Sequence, residues 1–286
     1  MIWPGDAAQN LEDSIGHVKR YLPGTPSWID LATTDPDGAK AFYTALFGWE
    51  AVDQPAGPDM VYTMLNKGDS AAAALFEMPA EMREGGAPPF WQTYITVADA
   101  DAATARAADL GATVLGGPYD VMDVGRMSTL QDPTGAAFSL WQPLRHIGCE
   151  VVNEHGALTW NELVTRDVAG ACSFYEALFG WQGSADEQGY VAYLNEVGGE
   201  SVYAAGIFPM PDDVPAGVPS HWIPYFWVDG LEAARDKLLA LGGSTVTDVM
   251  EIGPGKFVVA QDPQGAAFYL FEPASSNTGP SSDKLE

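Results

Sequence analysis

Two short stretches of the chain set an indole and a carboxylate two residues apart. They are Trp28-Ile29-Asp30 and, 132 positions on, Trp160-Asn161-Glu162. On an extended strand residues two apart share a face, so each acid would stand beside a flat aromatic wall. Desolvation there resists ionisation and raises the carboxyl pKa, which suits Asp30 and Glu162 to acid/base catalysis near neutrality. The plainer alternative is a pair of structural carboxylates bonded to backbone at strand ends. Trp91, Gln92, Tyr94 and Ser139 upstream, with Trp222 and Tyr269 downstream, are candidate binding walls beside Trp28 and Trp160. Flat rings of this kind suit planar or cationic ligands. Arg126 and Lys256, each following a glycine and 130 positions apart, either hold a substrate carboxylate or phenolate or pair with surface acids.

The elements that would carry these residues occur twice. Phe42-Tyr43-Thr44-Ala45-Leu46-Phe47-Gly48-Trp49 returns as Phe174-Tyr175-Glu176-Ala177-Leu178-Phe179-Gly180-Trp181. Gln131-Asp132-Pro133-Thr134-Gly135-Ala136-Ala137-Phe138 returns as Gln261-Asp262-Pro263-Gln264-Gly265-Ala266-Ala267-Phe268. Two long matches at nearly one offset indicate a tandem duplication. Within each half the pattern strand, helix, strands runs twice. Alternation predicts strands at 27–32, 60–66, 71–78, 91–97, 121–131 and 136–142 in the first half. Asp35-Pro36 supplies an N-cap and a first-turn proline, and Gly48 a stop, predicting a helix between them. Further helices are expected near 101–110, 168–179 and 231–241. The Pro/Gly-rich stretches 79–89 and 209–219 read as linkers, and Gly116-Gly117-Pro118 and Gly253-Pro254-Gly255 as turns.

Composition narrows the function classes. The 286 residues carry 13 basic and 39 acidic side chains, a net charge of −26. Such a polyanion repels nucleic acid and anionic membrane, which bind through Lys and Arg. The partner expected is a small-molecule ligand, aromatic or cationic, with the protein a monomer or homodimer. A mean hydropathy of −0.06 and no long apolar run argue against a spanning helix. The first residues carry no basic, then apolar, leader pattern, so the cytoplasm is the expected address. Cys149 and Cys172 are too few for a tetrathiolate zinc site.

The duplicated Phe-Tyr-x-x-Leu-Phe-Gly-Trp helix end and Asp-Pro-x-Gly turn resemble those of the vicinal oxygen chelate superfamily. It includes glyoxalase I, extradiol dioxygenases and bleomycin-resistance proteins, and the two-domain actinobacterial glyoxalase-like type is the most similar. That resemblance implies an α+β fold of four βαβββ modules paired into two cupped sheets. The repeat itself divides the chain into an arm over 1–24, domains over 25–145 and 156–273 joined by 146–155, and a tail over 274–286 without periodicity, read as disordered. The resemblance also implies where metal ligands would stand: Trp28, Ala74, Gln92 and Ser139 upstream; Trp160, Gly206, Ile223 and Tyr269 downstream. Neither set offers the His and carboxylate donors a divalent ion needs. Of the four histidines only His221 lies near a module's first strand. The expectation is therefore a metal-independent enzyme without cofactor, acting on a small aromatic or polyketide-like metabolite as isomerase, lyase, cyclase or hydratase. The alternative is an antibiotic-sequestering protein of the bleomycin-resistance type. The upstream cup, with Asp30, Gln92 and Ser139, is the more polar of the two.

Overall fold

The computed structural model describes residues 16–57 and 60–274. The expected arm is described from Gly16 only, and the expected tail beyond Ala274 lies outside the described residues. The first half runs β2 (Pro26–Thr33), α1 (Pro36–Phe47), β3 (Glu50–Pro55), β4 (Val61–Lys67) and β5 (Ser70–Glu77). A short helix α2 (Ala80–Glu84) leads to β6 (Phe90–Thr96), α3 (Ala100–Asp109), β7 (Thr113–Val121), β8 (Gly125–Gln131) and β9 (Ala137–Pro143). Helix α1 starts and stops as its residues dictate. The Asp35 carboxylate accepts from the Gly38 N–H, and Gly48 closes the last turn at φ 74°, a left-handed conformation that glycine adopts without a Cβ clash.

The eight strands form one sheet in the order β3-β4-β5-β2-β6-β9-β8-β7. The two modules meet at the antiparallel β2–β6 seam, with Asp30 opposite Gln92 and Trp28 opposite Tyr94. The second half repeats the course with β11 (Leu158–Thr165), α4 (Val168–Phe179), β12 (Gln182–Ala185), β13 (Val191–Val197) and β14 (Glu200–Pro209). It continues through β15 (His221–Trp227), α5 (Leu231–Ala240), β16 (Ser244–Thr245), β17 (Met250–Ile252), β18 (Gly255–Gln261) and β19 (Ala267–Pro273). Its seam is β11–β15. A small pairing of β1 (Gly16–His17) with β10 (Val151–Val152) joins this second sheet. The fold is thus α+β, two glyoxalase-type domains on separate sheets of 8 and 11 strands. Among the described residues no helix is long and apolar enough to cross a membrane.

Two edge strands depart from the sequence pattern. Strand β3 is exposed along its whole length, so its residues show no alternation to detect. Gly116-Gly117-Pro118 is not a turn but lies inside β7, where the register against β8 slips twice. The strand expected over 121–131 consequently begins only at Gly125.

The helix-bearing faces of the two sheets pack together through the duplicated motifs. The Tyr43 hydroxyl donates to Asp262 Oδ2 at 3.0 Å and accepts from Trp91 Nε1 at 3.1 Å. Reciprocally, Tyr175 donates to Asp132 Oδ2 at 2.8 Å and accepts from Trp222 Nε1 at 3.0 Å. Trp49 and Trp181 cross in the same manner, donating to the carbonyls of Gly156 and Gly24. Trp91 and Trp222 are therefore not walls of a binding cup. Each pairs across its seam with an inner-core leucine, Leu31 or Leu163, and so faces the other domain.

Replacing Tyr43 by Phe would leave a buried carboxylate oxygen and an indole N–H short of a partner. Tyr43→Phe and Tyr175→Phe should each cost about 1–3 kcal/mol in urea unfolding, the penalty of such orphaned groups. Wild-type midpoints for both variants would show that the crossed bonds do not hold the halves together.

Candidate functional site

Strand parity gathers one residue set on the concave face of the first sheet. Trp28, Asp30, Gln92, Tyr94 and Ser139 share that face through the registers of β2, β6 and β9. Asp30 is 2% exposed. Its Oδ2 accepts the Tyr62 hydroxyl at 2.9 Å and the Tyr94 hydroxyl at 2.8 Å. Trp28 Nε1 donates to the Tyr62 oxygen at 2.9 Å, so the indole supports the acid through one hydroxyl. The other carboxylate oxygen, Oδ1, is buried with no hydrogen-bond partner. Burial raises the Asp30 pKa to about 7, against the two tyrosine hydrogen bonds, which lower it. Beside this group, Gln92 Nε2 donates to Ser139 Oγ at 3.1 Å, and Ser139 Oγ lies 3.2 Å from Thr129 Oγ1.

The second cup repeats the plan with less polarity. Tyr225 donates to Glu162 Oε2 at 3.0 Å, and Tyr269 also bonds the carboxyl. Trp160 Nε1 donates to the Tyr190 hydroxyl at 3.0 Å. Burial again lifts the acid, here to about 7. Tyr190 reaches in over Gly206, where any Cβ would stand 2.2 Å from its hydroxyl oxygen. Tyr225 and Tyr269 stack beside Glu162 with centroids 4.0 Å apart. A cleft of about 30 Å3, bordered by Thr159, Ile252 and Phe271, leads to Glu162.

Arg126 and Lys256 stand on the opposite, helix-bearing faces. Arg126 is opposite Gln142 and bonds Asp101 at 2.7 Å and Asp120 at 2.8 Å. Lys256 is opposite Glu272 and pairs with it at 3.2 Å. Both cations are committed to acids beside helix starts, so neither is placed to hold a ligand in a cup. His221 lies at an end of β15 with Nδ1 2.9 Å from the Pro219 carbonyl.

Three contributors to the cups escaped the sequence reading. Tyr62 on β4 and Tyr190 just before β13 are reached only through hairpins, and their offset differs from that of Trp28 and Trp160. The third is His146, which follows β9 and turns back over the first cup. Its ring meets Trp28 edge-on at 4.4 Å and Trp141 at 5.8 Å. Nothing in local spacing announces that fold-back; the aromatic pair beneath it was the available signal.

A divalent metal does not suit these residues. Among the described residues no three His, Cys, Asp or Glu side chains cluster in a ligating arrangement. Opposite Asp30 stand Gln92 and Ala74, so the first cup offers one carboxylate, already held by two hydroxyls, and one amide.

Comparison with known proteins places this geometry in context. The model of the Glyoxalase/Bleomycin resistance protein/Dioxygenase superfamily matches residues 16–140, and a glyoxalase-like domain model matches 158–271. "Putative glyoxylase CFP32" of Mycobacterium tuberculosis is 44% identical over 258 residues, covering 89% of this chain and 97% of the relative. "Anthracycline biosynthesis protein DauV" of Streptomyces sp. (strain C5) is 32% identical over 275 residues, covering 89% and 95%. The Mn(II)-bound glyoxalase from Novosphingobium aromaticivorans superposes with a TM-score of 0.62 at 13% identity, over 90% of this chain and 83% of that one. At that identity the likeness is one of fold.

The raised carboxyl pKa values carry a stability consequence with a definite sign. An unfolded Asp ionises near 4, whereas Asp30 in the fold ionises near 7. The folded state therefore binds the extra proton, and its advantage is lost as pH rises from about 4 to about 7. Asp30→Asn cannot titrate, so its stability relative to wild type should climb across that window and level above it, by up to about 4 kcal/mol. Urea unfolding at pH 4.5 and 7.5 reads the difference. A gap independent of pH would mean that Asp30 titrates alike folded and unfolded.

Proposed function

The chain belongs to the glyoxalase/bleomycin resistance protein/dioxygenase superfamily, and on that premise we propose that its first cup performs acid/base chemistry on a small aromatic, polyketide-like metabolite. The observation that carries this reading is the unpartnered Oδ1 of Asp30, buried on the concave face while Oδ2 is fixed by two tyrosines. One oxygen anchors the carboxyl and the other is left to exchange a proton. With a pKa of about 7 the group serves as base or acid near neutrality. Isomerisation, elimination, cyclisation and hydration all turn on such a transfer.

Aromatic substrate chemistry is supported by the indoles of Trp28 and Trp141 and by the anthracycline-biosynthesis relative. Gln92, Ser139 and Thr129 add hydrogen-bonding groups that would orient substrate hydroxyls or carbonyls. The second cup, with Ile223 opposite Glu162 and its stacked tyrosines, keeps a structural part in this reading. The reaction proceeds without a metal, because the cup's donor set does not suit one. The net charge of −26 supports a second reading, stoichiometric sequestration of a cationic antibiotic.

A panel of aromatic ketones and hydroxyanthraquinones, followed by mass spectrometry, separates these readings. Turnover should survive dialysis against chelator and rise with pH through about 7 as Asp30 ionises. Asp30→Asn should lower kcat/KM at least about tenfold, equivalent to about 1.4 kcal/mol. Glu162→Gln should stay near wild type. Loss only in Glu162→Gln would move the chemistry to the second cup. Cationic ligands bound tightly and recovered unchanged would favour sequestration.

A further inference from the structure

The first cup holds a second buried polar atom without a partner, Nε2 of His146. The loop that carries it is fixed at both backbone groups. The His146 N–H donates to the Val124 carbonyl at 3.1 Å, and its own carbonyl accepts Trp141 Nε1 at 2.8 Å. The ring stands edge-on to Trp28, the same indole that supports Asp30 through Tyr62. Asp30, two residues on from Trp28 on the same face of β2, and His146, packed against the Trp28 ring, thus each hold one orphaned atom. A buried polar atom costs free energy unless something bonds it. A ligand that bonds both atoms would remove that cost.

We propose that His146 is a substrate-binding catalytic residue of the first cup, its Nε2–H holding the carbonyl oxygen of an enolisable aromatic ketone while Asp30 removes the neighbouring carbon-bound proton. This rests on the acid/base reading of the cup and names the substrate class for it. The step balances within the pair. The C–H bond breaks, its proton forms an O–H bond at Asp30, and its electrons move through the new C=C bond onto the carbonyl oxygen. His146 donates a hydrogen bond to that enolate oxygen, and Asp30 later returns the proton to the same or another carbon. No oxidant or further reactant enters. Burial lowers the His146 pKa to about 4, with Glu150 the charged group opposing that shift. The ring is therefore neutral at physiological pH and acts as a hydrogen-bond donor, not as a competing cation. Around it stand the uncharged Trp28 and Trp141 rings, so Asp30 supplies the titration near 7.

The test is exchange of the C1 protons of 2-tetralone in deuterium oxide, followed by proton NMR with the full chain. Wild type should exchange them faster than buffer, with the rate rising through about pH 7. His146→Phe keeps an aromatic ring against Trp28 but removes the donor, and should lower kcat about 100-fold, as loss of one oxyanion donor does. Its KM should change far less, and its pH profile should keep the limb near 7. His146→Gln, which restores an amide N–H, should recover part of the loss. If Asp30→Asn abolishes exchange while His146→Phe exchanges at the wild-type rate, His146 has no such role and the acid/base reading stands. If wild type exchanges no faster than Asp30→Asn, the acid/base reading fails and the role of His146 with it.

Discussion

A carboxyl group removed from water must be neutralised, paired or hydrogen-bonded, and this chain meets that demand twice with tyrosine hydroxyls instead of cations. Around Asp30 and Glu162 the fold places phenols that stabilise the ionised form without adding charge. The outcome is a pair of acids that ionise near 7. An arginine in place of Tyr94 would drive the carboxyl well below the ordinary carboxylate range and leave it a fixed anion. The cups are thus built for protons that come and go. Arg126 and Lys256 are held on the other face, beside helix starts.

Duplication gave two copies of this device, and the copies have diverged in what surrounds it. Upstream, Gln92, Ser139 and Thr129 keep a hydrogen-bonded polar wall, and one oxygen of Asp30 has no partner. Downstream, Ile223 and Tyr269 replace Gln92 and Ser139, and both tyrosines close on Glu162. The same backbone therefore carries two equally buried acids, one with an oxygen lacking a hydrogen-bond partner and one bonded by tyrosines at the end of a narrow cleft. The repeated Phe-Tyr and Asp-Pro motifs diverged little because each contacts the other half: Tyr43 with Asp262, Tyr175 with Asp132.

Much of this could be read from the chain alone, for physical reasons that differ by element. Helices α1 and α4 were legible because their caps are local: Asp35 and Asp167 bond amides three residues on, and Gly48 and Gly180 take the left-handed turn. The shared face of Trp28 and Asp30 followed from strand period alone. Parity by itself does not say which face is concave, so Trp91 and Trp222 looked like ligand walls while serving the core between domains. Strand β3 buries nothing and left no pattern. Tyr62, Tyr190 and His146 reach the cups through hairpins and a fold-back loop, contacts that depend on register and closure across the sheet.

The chemistry of the first cup depends on Asp30 exchanging a proton near neutrality. Selective carbon-13 labelling of aspartate, with assignment by Asp30→Asn, allows its carboxyl shift to be followed from pH 3 to pH 9. A single transition near 7 is expected, moving higher in Tyr94→Phe because that variant loses a hydrogen bond to the ionised form. A transition near 4, unmoved by Tyr94→Phe, would contradict that chemistry.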